Sequence, residues 1–85
     1  MALLLDIVTP AQRVISVQCD EVRAPGAAGG FGIREKHTPF MSALAAGRLT
    51  YVSRRQEYHY TISDGFLQVA DNKVIVLVDS AEPFK

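Results

Sequence analysis

With 85 residues and a formal net charge of zero, the chain has room for one domain, 1–85, and no excess of cations to hold a phosphate backbone, so nucleic acid is excluded as a partner, as is a role as an acidic solvating tail. Hydrophobic residues make up 48%, enough for one core, although a chain this short buries only about 60–65% of the surface its unfolded form exposes. The single cysteine, Cys19, rules out an internal disulfide framework and leaves a reducing compartment as the default.

Period-two alternation dominates the chain. Leu3 to Thr9 is apolar and closes on the turn signal Thr9-Pro10. Arg13 to Asp20 is β-branched and half-apolar, and Glu21 to Ala24 is a short strand running into Pro25-Gly26. Leu3-Leu4-Leu5 lacks the length and basic flank of a signal-peptide core, and no apolar run approaches the ~20 residues that span a bilayer. Membrane association is therefore expected only through a partner.

The stretch Pro25 to Leu44 then concentrates Gly26, Gly29, Gly30 and Gly32 with Pro25 and Pro39. That composition disfavours both helix and regular strand. Phe31, Ile33, Phe40, Met41 and Leu44 within it call for burial. The segment therefore reads as an ordered connection packed on a core, with Phe31 projecting between Gly30 and Gly32 as an aromatic anchor for a protein partner. Met41 to Ala46 is the one helix-compatible run and is under two turns long.

Arg48 to Ser53 alternates Leu49 and Tyr51 with Thr50 and Val52. Arg54-Arg55-Gln56 is a polar turn. Glu57 to Ser63 sets Tyr58, Tyr60 and Ile62 on one face. Asp64-Gly65 turns the chain into Phe66 to Val69. Ala70 to Lys73 turns it again, into the continuous apolar strand Val74 to Val78, which belongs at the centre of a sheet. Short Asp/Asn/Gly turns between strands mark hairpins. About ten short strands in one domain imply an all-β fold, a two-sheet β-sandwich or flattened barrel.

Little in the chain supports chemistry. The Asp and Glu residues fall in turns or on wet strand faces. His37 and His59 have no Cys or second His at ligand spacing, so no metal is expected. Cys19 sits inside a strand pattern as an inert buried thiol. The glycines lack the terminal Gly-Lys-Ser/Thr of a phosphate loop. No catalytic residue and no cofactor are expected. His37, before Thr38-Pro39, is equally a hydrogen-bonded structural imidazole that fixes the corner or a partner contact, since loop residues carry binding more often than core ones.

Pro25-Gly26-x-x-Gly29-x-x-Gly32-Ile33 followed by His37-x-Pro39-Phe40-x-x-x-Leu44-x-x-Gly47-x-Leu49 resembles the signature of the epsilon subunit of F-type ATP synthases. Asp6-Ile7-Val8-Thr9-Pro10 is similar to that family's opening strand and turn. Ser63-x-Gly65-Phe66-Leu67-x-Val69 and Asn72-Lys73-Val74-x-Val76-Leu77-x-Asp79-x-Ala81-Glu82 are similar to its closing strands. The resemblance implies a ten-stranded sandwich in the central stalk of a rotary motor. It would be peripheral on the cytoplasmic face of the inner, or energy-transducing, membrane. Its expected partners are the gamma subunit and the ring of c subunits, with Ala28, Gly30 and Phe31 toward the c ring and Thr9, Pro10, His37 and Ser42 toward gamma. No reaction of its own is implied.

The chain departs from the family pattern at Arg34-Glu35-Lys36, where Pro-Gly is usual, at Gly30, where an acidic residue is common, at Asp64, a usual Gly, and at Ala46, a usual Pro. Family members usually continue into a C-terminal helical hairpin that can inhibit ATP hydrolysis. A chain closing on Ala81-Glu82-Pro83-Phe84-Lys85 is expected to lack it. The alternative function is a stand-alone β-sandwich module binding a peptide or carbohydrate through Tyr51, Tyr58 and Tyr60, which requires those tyrosines to be exposed together.

Overall fold

A computed structural model describes residues 3–84. Ten strands follow one another: β1 (Leu3–Val8), β2 (Arg13–Cys19), β3 (Glu21–Ala24), β4 (Phe31–Arg34), β5 (Phe40–Leu44), β6 (Gly47–Ser53), β7 (Gln56–Ile62), β8 (Gly65–Ala70), β9 (Lys73–Val78) and β10 (Ala81–Pro83). They form two five-stranded sheets, β2-β1-β9-β8-β5 and β10-β7-β6-β3-β4. Every neighbouring pair is antiparallel except β1 and β9, which run parallel. The all-β two-sheet sandwich expected from the alternation is the fold observed, and β9 lies at the centre of its sheet.

The alternation decides which residues fill the space between the sheets. In β1, Leu3, Leu5 and Ile7 are fully buried, while Leu4, Asp6 and Val8 point to the other side of the sheet. Leu67, Val69, Val74 and Val76 join them from the first sheet. Val22, Ile33, Leu49, Tyr51 and Ile62 face them from the second. Each such side chain contributes on the order of 1.5–3 kcal/mol by leaving water, and two sheets are the least that can cover these faces.

Corners are tied by single polar residues. Asp20 stands between β2 in one sheet and β3 in the other. Its N–H donates to the Val52 carbonyl at 2.7 Å, and its Oδ2 accepts the Arg54 N–H at 3.2 Å. Ser63 joins two crossovers: its Oγ accepts the N–H groups of Asp79 and Ser80 at 2.9 and 3.1 Å. The turn expected at Asp64-Gly65 is therefore a passage between sheets, whereas β6–β7 and β8–β9 are true hairpins. Asp71 and Asn72 take positive φ in the second of these (52° and 60°), as do Arg54 and Arg55 in the first (53° and 67°). For arginine that conformation costs roughly 1–2 kcal/mol per residue, which the seven cross-strand pairs of β6 and β7 hold in place.

The glycine-rich segment is more regular than its composition suggests. Phe31–Arg34 is edge strand β4 and Phe40–Leu44 is edge strand β5. Gly32 is tolerated because it pairs with Arg23 on the solvent side of the sheet, where no side chain need pack. Pro39 precedes β5 and removes no ladder hydrogen bond. The helix-compatible run beginning at Met41 is spent mostly in β5, whose residues pair in register with β8. Gln56, expected in the turn, opens β7 instead.

Candidate functional site

The two outer faces of the sandwich differ in character. The outer face of β3, β6 and β7 is a charge ladder. Arg23 bridges Glu21 at 3.2 Å and Glu57 at 2.9 Å. These two carboxylates, Glu21 first, push the guanidinium above its ordinary range. The Thr50 hydroxyl hydrogen-bonds His59 Nδ1 at 2.8 Å, and the Arg48 guanidinium lies 4.3 Å over the Phe84 ring. The exposed Arg23 pairs are self-compensated and hydrated, and each adds little to stability.

The outer face of the other sheet is apolar. Cross-strand register sets Ala43, Phe66, Leu77 and Val8 in one row across β5, β8, β9 and β1. Met41 stands on the same face, two residues along β5 from Ala43. Met41 is 67% exposed, Phe66 58% and Leu77 48%. An open groove of about 450 Å³ runs beside the row, lined by Val8, Thr9, Pro10, Phe66, Leu77 and Asp79 among others. Contiguous large apolar side chains on one face of a small sheet mark a surface that another molecule covers.

Thr9 and Pro10 border this groove. The Thr9 hydroxyl and N–H both donate to the Gln12 carbonyl (3.1 and 2.9 Å), fixing the β1–β2 turn. His37 lies at the opposite end of the sheet, beside the β8–β9 turn, where the Lys36 N–H donates to Asn72 Oδ1. Its Nδ1–H donates to the Thr38 carbonyl at 2.7 Å, and its ring meets Phe40 edge-on at 5.6 Å. Ser42 pairs with buried Leu67, so it looks toward the rim of the interior and not onto the apolar face.

Ala28 and Gly30 are exposed on the loop before β4. Phe31 is not a free anchor: it is half-buried, packs against the core and meets Phe40 edge-on at 5.3 Å. Glycine at position 26 makes this possible, since a Cβ there would come within 2.7 Å of the Phe31 ring. Phe40 thus links Phe31 and His37, residues expected at two different interfaces. Phe40 and Met41, expected to be buried, are exposed (38% and 67%), whereas Ile33 and Leu44 are buried as expected. Both exposed residues lie on β5, an edge strand with a neighbour on one side only.

The tyrosines are drawn inward. Tyr51 is in the core and stacks on Tyr58 with centroids 4.9 Å apart and on Tyr60 at 6.5 Å. Tyr58 is the exposed member, its hydroxyl donating to Gln56 Oε1. The three do not form an open platform for a sugar or peptide. Cys19 is buried, and burial first, then the Asp20 charge, pushes its thiol up to about 11. A thiol held protonated in this way is a poor nucleophile. Among the described residues, no group of three or more His, Cys, Asp or Glu side chains is placed to hold a metal ion.

The residues that form the apolar row were not singled out by sequence. Phe66 reads as one member of a strand, and Leu77 as part of a continuous apolar strand at the centre of a sheet. The signal is in β8, where Phe66 shares its face with Gln68 and not with Leu67 and Val69.

The model of the family described as "ATP synthase, Delta/Epsilon chain, beta-sandwich domain" matches residues 2–84. The chain is similar to the ATP synthase epsilon chain of Anaeromyxobacter sp. (strain Fw109-5), 71% identical over 82 residues that make up 96% of this chain and 62% of that one. It is similar to the epsilon chain of Myxococcus xanthus (strain DK1622), 46% identical over 95% of this chain and 60% of that one. The chain thus spans about six-tenths of the length of these curated relatives. Its fold matches a chain in the cryo-EM structure of the Euglena gracilis mitochondrial ATP synthase (OSCP/F1/c-ring), with a TM-score of 0.90, 21% identity, and coverage of 96% of this chain and 53% of that one. It also matches a chain of the Tetrahymena thermophila mitochondrial ATP synthase central stalk/c-ring, with a TM-score of 0.80, 15% identity, and coverage of 96% and 66%.

Proposed function

This chain belongs to the family of ATP synthase delta/epsilon-chain β-sandwich domains, and on that premise we propose that it is a rotor element of the central stalk, docking on the gamma subunit and the c ring to couple ion-driven rotation to ATP synthesis. It performs no reaction itself, and it joins the membrane from its cytoplasmic side through the complex alone. The observation that carries this reading is the row Ala43, Phe66, Leu77 and Val8, with Met41 beside it, on the outer face of one sheet. We assign that face to gamma. Thr9 and Pro10 border it, Ser42 stands on the strand that edges it, and His37 lies at its far end.

The end bearing Ala28, Gly30 and Phe31 faces the c ring. The first two offer exposed backbone for close approach, while Phe31 braces the loop from within.

Torque transmission requires a body that does not shear. Here ten strands are cross-linked by backbone hydrogen bonds, and the interior is close-packed. It also requires an interface that does not slip, which calls for a buried area of about 1,200–2,000 Å² in total. The binding-module alternative loses its basis because Tyr51 is buried and Tyr60 partly so, leaving Tyr58 as the one exposed member of the stack.

Size-exclusion chromatography of this protein with gamma from the same organism tests the docking. The expected result is a one-to-one complex at micromolar concentration. Separate elution of the two proteins would count against gamma as the partner of the apolar face.

A further inference from the structure

The groove beside the apolar row is not apolar along its whole length. Asp64 and Asp79 line it together with Phe66 and Leu77, and both aspartates are exposed. Gly65 and Val78 form the last pair of the β8–β9 ladder at that end. Asp64 precedes the one and Asp79 follows the other, so two carboxylates stand side by side where the ladder stops. Like charges in facing positions repel. The corner itself is tied through Ser63, whose Oγ donates to the Asp64 carbonyl at 3.2 Å and accepts the Asp79 N–H at 2.9 Å. These bonds use backbone groups and leave both carboxylates turned to solvent.

The cations of this sheet stand elsewhere. Arg13 pairs with Val8 from edge strand β2, with β1 between it and β9. Lys73 opens β9 at its opposite end, four residues from Leu77 and about 13 Å along the strand, where it stands against Asp6 at 3.9 Å. In the free protein, water solvates Asp64 and Asp79. A partner that covers Phe66 and Leu77 displaces that water, and a carboxylate then facing an apolar group is a penalty against docking. The same two charges favour docking when the partner brings a cation to them.

We infer that Asp64 and Asp79 fix the direction in which gamma lies on this face. The gamma segment presents apolar side chains to Phe66, Leu77 and Val8, and a lysine or an arginine at the end that meets the two aspartates. This rests on the docking reading above and adds to it the charge pattern of the partner. An apolar row alone accepts a segment that is reversed or slid along it. A pair of like charges at one end of the row rejects both, because each removes the cation from the aspartates.

The test is isothermal calorimetry of this protein with gamma at about 0.05 M and about 0.5 M salt, with a thermal melt of each variant. Asp64→Lys is expected to raise Kd about tenfold or more at the lower salt, and by clearly less at the higher. Asp64→Asn acts in the same direction, by about threefold. Both variants should melt at or above the wild-type temperature, since each removes a like-charge contact with Asp79. Glu82→Lys makes the same change of charge on an exposed residue of β10, in the other sheet, and is expected to leave Kd within about twofold. If the folded Asp64 variants bind with the wild-type Kd while Phe66→Glu does not bind, apolar docking stands and the role of the aspartates is overturned. If Asp64→Lys and Glu82→Lys weaken binding equally, the effect is one of net charge, and that role is overturned as well. If wild type does not bind gamma, whether it stays single or pairs with a second copy of itself, the docking reading falls and the role of the aspartates falls with it. If neither Asp64 variant folds, Asp64 belongs to the corner between the sheets, and the proposal is overturned.

Discussion

Phe66→Glu is expected to leave the domain folded and to remove its binding to gamma, with Kd rising about a hundredfold or more. The side chain is 58% exposed in the free protein, so a charge there meets water before docking, and the change in stability should stay within about 0.5 kcal/mol. In the complex the same position lies at the middle of the apolar row, between Ala43 and Leu77. Docking would then bury a carboxylate with no donor provided for it, on top of losing the aromatic contact. Truncation of a central interface residue alone costs about 2 kcal/mol or more, and an unpaired charge at such a place adds several more. Calorimetry and a thermal melt on the same sample separate the two effects. Unchanged affinity would show that the row is not the docking surface.

Gly65→Ala acts on the fold and should be the most damaging single methyl group in the chain. A Cβ at Gly65 would lie 2.1 Å from the Leu77 carbonyl oxygen and 2.9 Å from Val78 Cγ1. The obstacle is backbone of the paired strand, so no rotamer change relieves it. β8 and β9 must separate where Gly65 faces Val78, loosening both the ladder and the core residues Leu67 and Val76 behind it. Overpacking of this kind costs typically 1–3 kcal/mol and more when backbone must move. For a domain of this size about 3 kcal/mol corresponds to a fall in Tm of roughly 10–25 °C. Gly30→Ala is the control: its nearest neighbour, the Ala24 carbonyl oxygen, would be at 3.7 Å, an ordinary contact, and its melt should match wild type. Gly32, on a solvent-facing edge strand, is likewise no position of left-handed backbone; among Gly26, Gly29, Gly30 and Gly32, only Gly29 takes positive φ (133°).

Local pattern made the strands legible. Alternation in β6 and β7, and the Asp71-Asn72 turn after β8, are written in neighbouring residues, and their hairpins form where the pattern puts them. Pairings between distant segments are not written that way. Nothing in Leu4 or Lys73 announces that they are partners across the parallel β1–β9 pair, nor that Asp64 carries the chain from one sheet to the other. Arg54 and Arg55 hide a left-handed turn because arginine gives no sign of one. Composition also misled between Pro25 and Leu44, since glycine on the wet side of an edge strand costs little and two short strands survive there.

The apolar face proposed for docking is only partly legible in the sequence. Thr9 and Pro10, placed at the gamma side by resemblance, border the apolar groove. The large side chains that dominate it are not, because Val74 to Val78 reads only as a continuous apolar strand at the centre of a sheet. Parallel-paired strands with continuous apolar runs are indeed usually covered on both faces. In this structure one face of β9 is covered by the second sheet, while Leu77 on the other is 48% exposed. The mismatch between a doubly apolar strand and a singly covered one carries the functional reading, and it appears only when sequence and fold are set side by side.

Thiol protection tests that reading most directly. Ala43→Cys places a small reactive group in the row beside Phe66, and Thr61→Cys places one on the exposed charged face. Cys19, buried and held protonated, stays silent to a maleimide. Gamma should sharply slow labelling at position 43 and leave position 61 as reactive as in the free protein. Equal labelling at 43 with and without gamma in a verified complex, or protection at 61 instead, would show that the partner covers another face.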